Sequence, residues 1–311
     1  MDWSDRHCRF FWRLLSKRAR LYTEMVVTGA IIHGDRKRFL DFSMEEHPLA
    51  LQLGGSDAAE LAQCAAIAQE WGYDEVNLNC GCPSDRVQKG KIGAVLMHEP
   101  ELVAECIEKM RSECDIPVTV KHRIGVDDRD DYASLHHFIS VVREAGCQTF
   151  IIHARKDWLK GLSPKQNREI PPLKYDTVRQ VKDEFPELNI VINGGINTVE
   201  KCQSLLADLD GVMIGREAYS NPYMLADIDK VLFASEAAAP PSRDEVIEEY
   251  THYCEHMLAK GARLNHMARH ILGLYSGQRG ARLFRRHLSE NTPRKGAQVD
   301  LLAQAVALTK I

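Results

Sequence analysis

A cysteine held between a glycine and a proline is the first feature of this chain that could do chemistry. It lies in the stretch EVNLNCGCPSDRVQKGKIGA, residues 75–94. Val76 and Leu78 alternate with Asn77 and Asn79, which predicts a short strand with one face against a core. Gly81-Cys82-Pro83 ends it, since proline cannot continue a ladder and glycine permits an unusual turn. Cys82 is thereby left at the carboxyl end of a strand, where α/β sheets and barrels keep their reactive groups. A free thiol is more often a buried packing residue, but the Gly-Pro setting and the two upstream asparagines favour a reactive one. Cys80 and Cys82 could form half of a metal site, yet no second Cys/His cluster at ligand spacing accompanies them, so no metal is expected.

Other strand ends carry polar residues that a plain core would not want. Gln52 follows Leu51, Lys121 lies in VTVKHR, His153 and Arg155 end FIIHAR, and Asn193-Gly194-Gly195 ends IVINGG. Each alone has an ordinary explanation, but with Cys82 they converge on one rim. Asn193-Gly194-Gly195 and Gly215-Arg216 close the last two strands, where β/α barrels hold a phosphate between loops. A phosphorylated cofactor such as FMN is expected there, with Lys121 near the pyrimidine edge of a flavin. The loop after His153, ARKDWLKGLSPKQNREIPPL, carries Arg155, Lys156, Lys160, Lys165 and Arg168 beside Trp158. A basic loop with an aromatic, on the thiol's side, suits a nucleic-acid strand with a base turned into the pocket.

The elements that must position these groups follow from the pattern of the chain. At 311 residues and 44% hydrophobic, it can bury a large core. No apolar run is long enough to cross a bilayer and no signal peptide is evident, so a cytoplasmic protein away from membranes is expected. Nine cysteines without framework spacing fit free thiols in a reducing compartment. Ser4 is expected to cap a first helix running to about Arg18. Strands are expected at 21–28, 49–54, 75–79, 118–123, 149–153, 190–193 and 211–215. Amphipathic helices at 58–71, 101–111, 132–145, 177–185 and 199–206 separate them, which means a parallel sheet covered by helices.

Seven strands and a leading helix predict a TIM (β/α)8-type barrel lacking its first strand in this chain, or a seven-stranded or open barrel. The segment 216–233 reads as the last barrel helix. Residues 1–236 form the expected catalytic domain, 237–243 a linker, and 244–311 a small bundle of about four helices. Between Lys260 and Lys295 stand nine Lys or Arg against one acid, Glu290, in a chain whose net charge is −4. A solvated helix face normally mixes both signs, so this segment points to a polyanion.

Taken together, these residues resemble the tRNA-dihydrouridine synthases, and within them the A branch. The matching stretches include DWSDRHCRFF (2–11), EEHPLALQLGGSD (45–57), YDEVNLNCGCPSDRVQ (73–88), VTVKHRIG (118–125), FIIHARKDWLKGLSPKQNREIPPL (150–173), DGVMIGREAY (210–219) and RHILGLYSGQRGARLFRRHLSEN (269–291). They run in family order over nearly the whole chain. The resemblance implies an FMN enzyme that reduces the C5–C6 bond of uridines in the tRNA D-loop, at positions 20 and 20a, with NADPH as reductant. It implies Cys82 as the catalytic acid and Asn79 as a contact to the target uracil. Gln52, Lys121, His153, Asn193, Gly194, Gly195, Gly215 and Arg216 are the implied FMN site. Lys165 and Arg168, with Arg282 and Arg285 in the helical domain, are implied to touch tRNA, and a monomer is expected.

Two departures from the family pattern stand out. The strand ending in Ala-Pro-Met that precedes DWSDRHC in the family has no counterpart in this sequence, and Val95 stands where GAxLM motifs usually carry cysteine, a change in packing. Two other readings are a small-molecule flavin reductase of the pyrimidine or orotate type, and a flavin-free RNA-binding protein. The first would not need the basic helical domain; the second would retain tRNA without colour.

Overall fold

The structure is a computed structural model that describes residues 3–84, 90–233 and 239–310. Asp2, residues 85–88 of the thiol motif and residues 237–238 of the expected linker lie outside them. Helix α1 (Arg6–Leu15) is capped by Asp5 rather than by Ser4, the Asp5 carboxylate accepting from the backbone N–H of His7 and Cys8. An aspartate at this position satisfies two of the helix's unpaired donors and also favours its positive end.

The single first strand expected at 21–28 is two short ones, β1 (Leu21–Tyr22) and β2 (Val26–Val27), both parallel to β3 (Leu49–Gly54). Two short helices follow them, α2 (Thr28–His33) and α3 (Arg36–Leu40). After β3 come α4 (Ala58–Trp71), β4 (Glu75–Cys80), α5 (Pro100–Glu113), β5 (Val118–Arg123), α6 (Tyr132–Glu144) and β6 (Thr149–His153). Then come α7 (Tyr175–Glu184), β7 (Asn189–Asn193), α8 (Val199–Leu206) and β8 (Gly211–Met213). From β3 onward each strand pairs in parallel with the next in sequence, as right-handed β/α crossovers require. Among the described residues β8 does not pair with β1, so the expected barrel is present as an open one with a seam at that edge.

Both faces of the sheet are buried, which the alternation on β4 did not announce. Val76, Leu78 and Cys80 join the apolar core between sheet and helices. Glu75, Asn77 and Asn79, buried as well, face the lumen instead. Register places Gln52, Asn77 and Thr119 in one interior layer, and Asn79 beside Lys121 in the next. Arg123, His153, Asn193 and Met213 form the rim layer above them.

The expected helix at 216–233 is broken around Pro222 into α9 (Arg216–Ser220), a 3-10 turn (Pro222–Asp227) and α10 (Ile228–Leu232), because proline cannot supply the helical N–H. Beyond lie α11 (Arg243–Ala259), α12 (Leu264–Ala268), α13 (Ala281–Asn291) and α14 (Asp300–Ala307). The helix expected over 264–275 is shorter than its apolar pattern, ending at Ala268. A second hydrophobic core joins these helices to Phe11 and Leu15 of α1 and to Leu225 and Ile228 after the sheet. Asp5 secures the junction by pairing with Arg269 and His270 at 2.6 and 2.9 Å. The helical region is therefore anchored to the barrel through α1 as well as through the chain that links them.

Candidate active site

The turn that carries the thiol is built by Asn79. Its Oδ1 accepts from the backbone N–H of both Gly81 and Cys82, each at 3.0 Å, and the Cys82 carbonyl accepts from the Ala94 N–H at 3.0 Å. Cys82 is half-buried, with Sγ 3.7 Å from Ser84 Oγ. Its neighbour Cys80 is fully buried, and burial pushes that thiol well up, so only the second cysteine of the pair is presented at the rim. Asn79 Nδ2 donates to Gln52 Oε1 at 2.9 Å. Two residues expected at uracil and flavin are thus bonded to each other.

Lys121 sits beside Asn79 across the sheet. Burial and the Arg123 guanidinium push its ammonium down to about 8, with the Cys82 charge working the other way. His153 is driven far below the usual imidazole range by burial and by Lys121, Arg123, Arg155 and Arg216. It is therefore a neutral ring ringed by cations, a set that suits an anionic ligand.

Arg123 is a link in the neighbourhood of the thiol that motif reading missed. Its Nε donates to the Gly81 carbonyl at 3.0 Å, and Nη1 to the carbonyls of Lys156 and Asn167 at 3.2 and 3.1 Å. One buried side chain thus ties the thiol turn to the long basic loop. The period of two in VTVKHR, which puts Arg123 on the same face as Lys121, is the signal that could have found it.

Its partner Asp157, 3.6 Å away and buried, is raised to about 7 by burial and by Asp127, with Arg123 opposing. A carboxyl raised this way contributes stability that is fully present below its unfolded pKa near 4 and is lost as pH rises through about 7. Asp157→Asn cannot ionise and should flatten that slope. Denaturant titrations at pH 5 and pH 8 should show the stability difference between the two shrinking by about 2 kcal/mol; an unchanged difference would assign the slope to other groups.

The residues expected at a phosphate lie at the ends of the last two strands. Asn193 Nδ2 donates to the Met213 carbonyl at 2.8 Å, bridging the last two strands. Gly194 and Gly195 have φ of +115° and +64°, and a Cβ on Gly194 would lie 2.7 Å from His153 Cδ2. Gly194→Ala should therefore lose about 1–3 kcal/mol of stability in urea titrations and displace His153. At Gly215 an added Cβ would meet only Asn193 Nδ2, at 3.9 Å, so the backbone there faces open space.

Arg216 is not free at these strand ends. It donates to Glu169 Oε1 at 2.7 Å and to the Arg168 carbonyl at 3.2 Å, tethering the basic loop to β8. A cavity of about 980 Å³ opens along the seam, lined by Tyr22, Glu75, Val191, Met213, Gly215 and Arg216 among others. Cys82, Lys121 and His153 do not line it.

Arg168 is half-buried and is pushed down by burial and by the Arg216 guanidinium. Lys165 is exposed on the same loop. Arg282 and Arg285 project from α13 into solvent, and no hydrogen bond or ion pair engages either among the described residues. Arg286 on the same helix is paired with Glu290 at 2.9 Å.

The sequence profile of the family described as "Dihydrouridine synthase (Dus)" matches residues 1–310. The tRNA-dihydrouridine(20/20a) synthase of Shewanella oneidensis is 60% identical over 305 residues, covering 98% of this chain and 90% of that protein. The protein of the same name from Vibrio cholerae is 57% identical over 308 residues, 99% of this chain and 94% of the relative. The one from Synechocystis is 53% identical over 310 residues, 100% and 92%. A solved structure of morphinone reductase in complex with tetrahydroNAD overlays with a TM-score of 0.49 at 11% identity, covering 77% of this chain and 85% of that one, a likeness too slight to bear on function. A profile spanning almost every residue, joined to relatives that share more than half of their positions, leads to one conclusion: the chain belongs to the dihydrouridine synthase family.

Proposed function

We propose that this chain reduces the C5–C6 double bond of uridine in the D-loop of tRNA, at positions 20 and 20a, using FMN with NADPH as reductant. Three named relatives carry that specificity in their names. The single observation that carries the chemistry is the half-buried Cys82 thiol, fixed on a turn whose two N–H groups are held by Asn79.

Residues of the chain fit a flavin phosphate on their own account. Gly194 and Gly195 adopt backbone conformations open to glycine, Gly215 faces open space, and the cations around neutral His153 favour an anion. Asn193, Gly194, Gly195, Gly215 and Arg216 would hold the phosphate and ribityl chain; Gln52, Lys121 and His153 would meet the ring. When bound, the flavin supplies the hydride that reaches C6.

Cys82 then has one task. Hydride addition at C6 leaves an electron pair at C5, and the Sγ–H proton forms the new C5–H bond while the S–H pair stays on sulfur as thiolate. A thiol S–H placed beside the reacting carbon can serve as that general acid. Solvent returns the proton, so no further reductant is consumed.

Asn79 keeps one amide N–H for the uracil. Lys165 and Arg168 engage the RNA strand beside the pocket, and Arg282 and Arg285 engage backbone phosphates farther along the tRNA. A reductase of free pyrimidines would have no use for unpaired guanidiniums on α13. The protein is expected to work as a monomer in the cytoplasm, where tRNA and reduced thiols are found. No helix among the described residues is long and apolar enough to cross a membrane.

The experiment that tests this reading is anaerobic incubation of the FMN-loaded protein with NADPH and unmodified tRNA. Dihydrouridine should form in the D-loop. Reduction of free uracil or orotate at a comparable kcat/KM, with tRNA inert, would replace it with the small-molecule reading.

A further inference from the structure

Inside the lumen, five side chains form one continuous hydrogen-bonded line from the thiol turn to the opposite end of the barrel. The Gly81 and Cys82 N–H groups donate to Asn79 Oδ1, and Asn79 Nδ2 donates to Gln52 Oε1 at 2.9 Å. Gln52 Nε2 donates to Asn77 Oδ1 at 2.9 Å, and Asn77 Nδ2 to Thr119 Oγ1 at 2.8 Å. Thr119 Oγ1 donates to Glu75 Oε1 at 2.7 Å. Tyr22 OH also donates to Oε1, at 2.8 Å, and Arg20 pairs with Oε2. Glu75, Asn77, Asn79 and Thr119 are all buried.

Chemistry at the two ends fixes the direction of every bond between them. Backbone N–H groups can only donate, so Asn79 must present its oxygen to the turn. A carboxylate paired with Arg20 accepts only, so Thr119 must point its proton at Glu75. Each amide between is then forced into one of its two orientations, the ambiguity that otherwise attends Asn and Gln side chains. The line is unfrustrated in this sense alone; reversed, it would aim Asn79's NH2 at two N–H groups. Buried polar lines of this kind are strengthened along their length when fully satisfied and are costly when broken.

We propose that Glu75 is a positioning residue for Cys82. Through Thr119, Asn77 and Gln52 it locks Asn79 in the orientation that holds the thiol turn, and it decides which edge of the Gln52 amide faces the cofactor. Its bearing on catalysis rests on the reading of Cys82 as proton donor. The test reads the thiol itself, with no tRNA or reductant present, so the two can fail separately.

Thr119→Val keeps the shape of residue 119 and removes both its bonds. Glu75→Gln keeps the size of residue 75 but offers an N–H to Thr119, which makes the reversed direction available at the lower end only. In both variants the Cys82 peptide, followed by mass spectrometry, should be alkylated by iodoacetamide about fivefold faster than in the parent, as for one lost buried hydrogen bond. Thr119→Ser, which restores the hydroxyl, should return the parent rate. Val142→Ala, a core truncation outside the line, should lower the melting temperature without accelerating alkylation. Parent-like alkylation in Glu75→Gln, or equal acceleration in Val142→Ala, would overturn the proposal. Glu75→Gln carries the test by itself if valine at 119 is not tolerated.

Discussion

Cys82→Ala should separate the two half-reactions of the proposed cycle. NADPH should bleach the bound flavin at the parent rate, because nothing in that step needs an acid at the uracil. Re-oxidation by tRNA, followed anaerobically at the flavin absorbance, should slow by at least ~100-fold, the usual worth of a general acid. The turn would survive the change, since the Asn79 bonds go to backbone N–H groups and not to the thiol. Cys82→Ser should retain the shape and still be slow, because a hydroxyl is a far weaker acid. Unaltered re-oxidation in either variant would remove Cys82 from the chemistry and leave Asn79, Lys121 and Arg168 to be tested as alternatives.

The second large effect concerns α13. Arg282→Gln combined with Arg285→Gln removes two exposed cations that have no partner among the described residues. If each meets one phosphate, affinity for tRNA should fall about 100-fold for the pair, two lost charge-assisted bonds. The slope of log affinity against log salt should drop in magnitude by about two. Flavin content and NADPH oxidation should not change, because neither arginine belongs to the barrel. Arg286→Gln, on the same helix but already paired with Glu290, should cost much less. Equal losses from all three would point to a general field of positive charge, not to defined contacts.

Much of the barrel was legible because its strands are short, apolar runs set between amphipathic helices. Helix α4 begins after Asp57, whose side chain caps it, and ends at Gly72 with φ of +88°, both readable signals. Less legible was what the polar half of each strand faces. Alternation on Glu75–Cys80 looks the same whether the polar side meets water or a closed lumen, and only register shows Asn77 sandwiched between Gln52 and Thr119.

The site was read unevenly for a similar reason. Gly-Cys-Pro and the paired glycines 194 and 195 are local features whose chemistry is contained in a few residues. Arg123, Glu75 and Asp157 bond to partners tens of residues distant; alternation puts Arg123 on the face of Lys121, but no neighbouring letter names the partner of any of the three. Arg216 was expected at a phosphate and pairs with Glu169, a contact between the start of α9 and the basic loop that spacing cannot reveal. The expected first strand divided because Thr23, between β1 and β2, uses its side chain to accept from the Gln52 N–H at 3.0 Å.

The most direct test of the account is the mass of D-loop fragments from tRNA of a strain deleted for this gene and complemented with it. Fragments carrying positions 20 and 20a should lack the two added hydrogens per uridine in the deletion, regain them with the parent gene, and lack them with Cys82→Ala. Full dihydrouridine in the deletion strain, or its restoration by Cys82→Ala, would contradict the account.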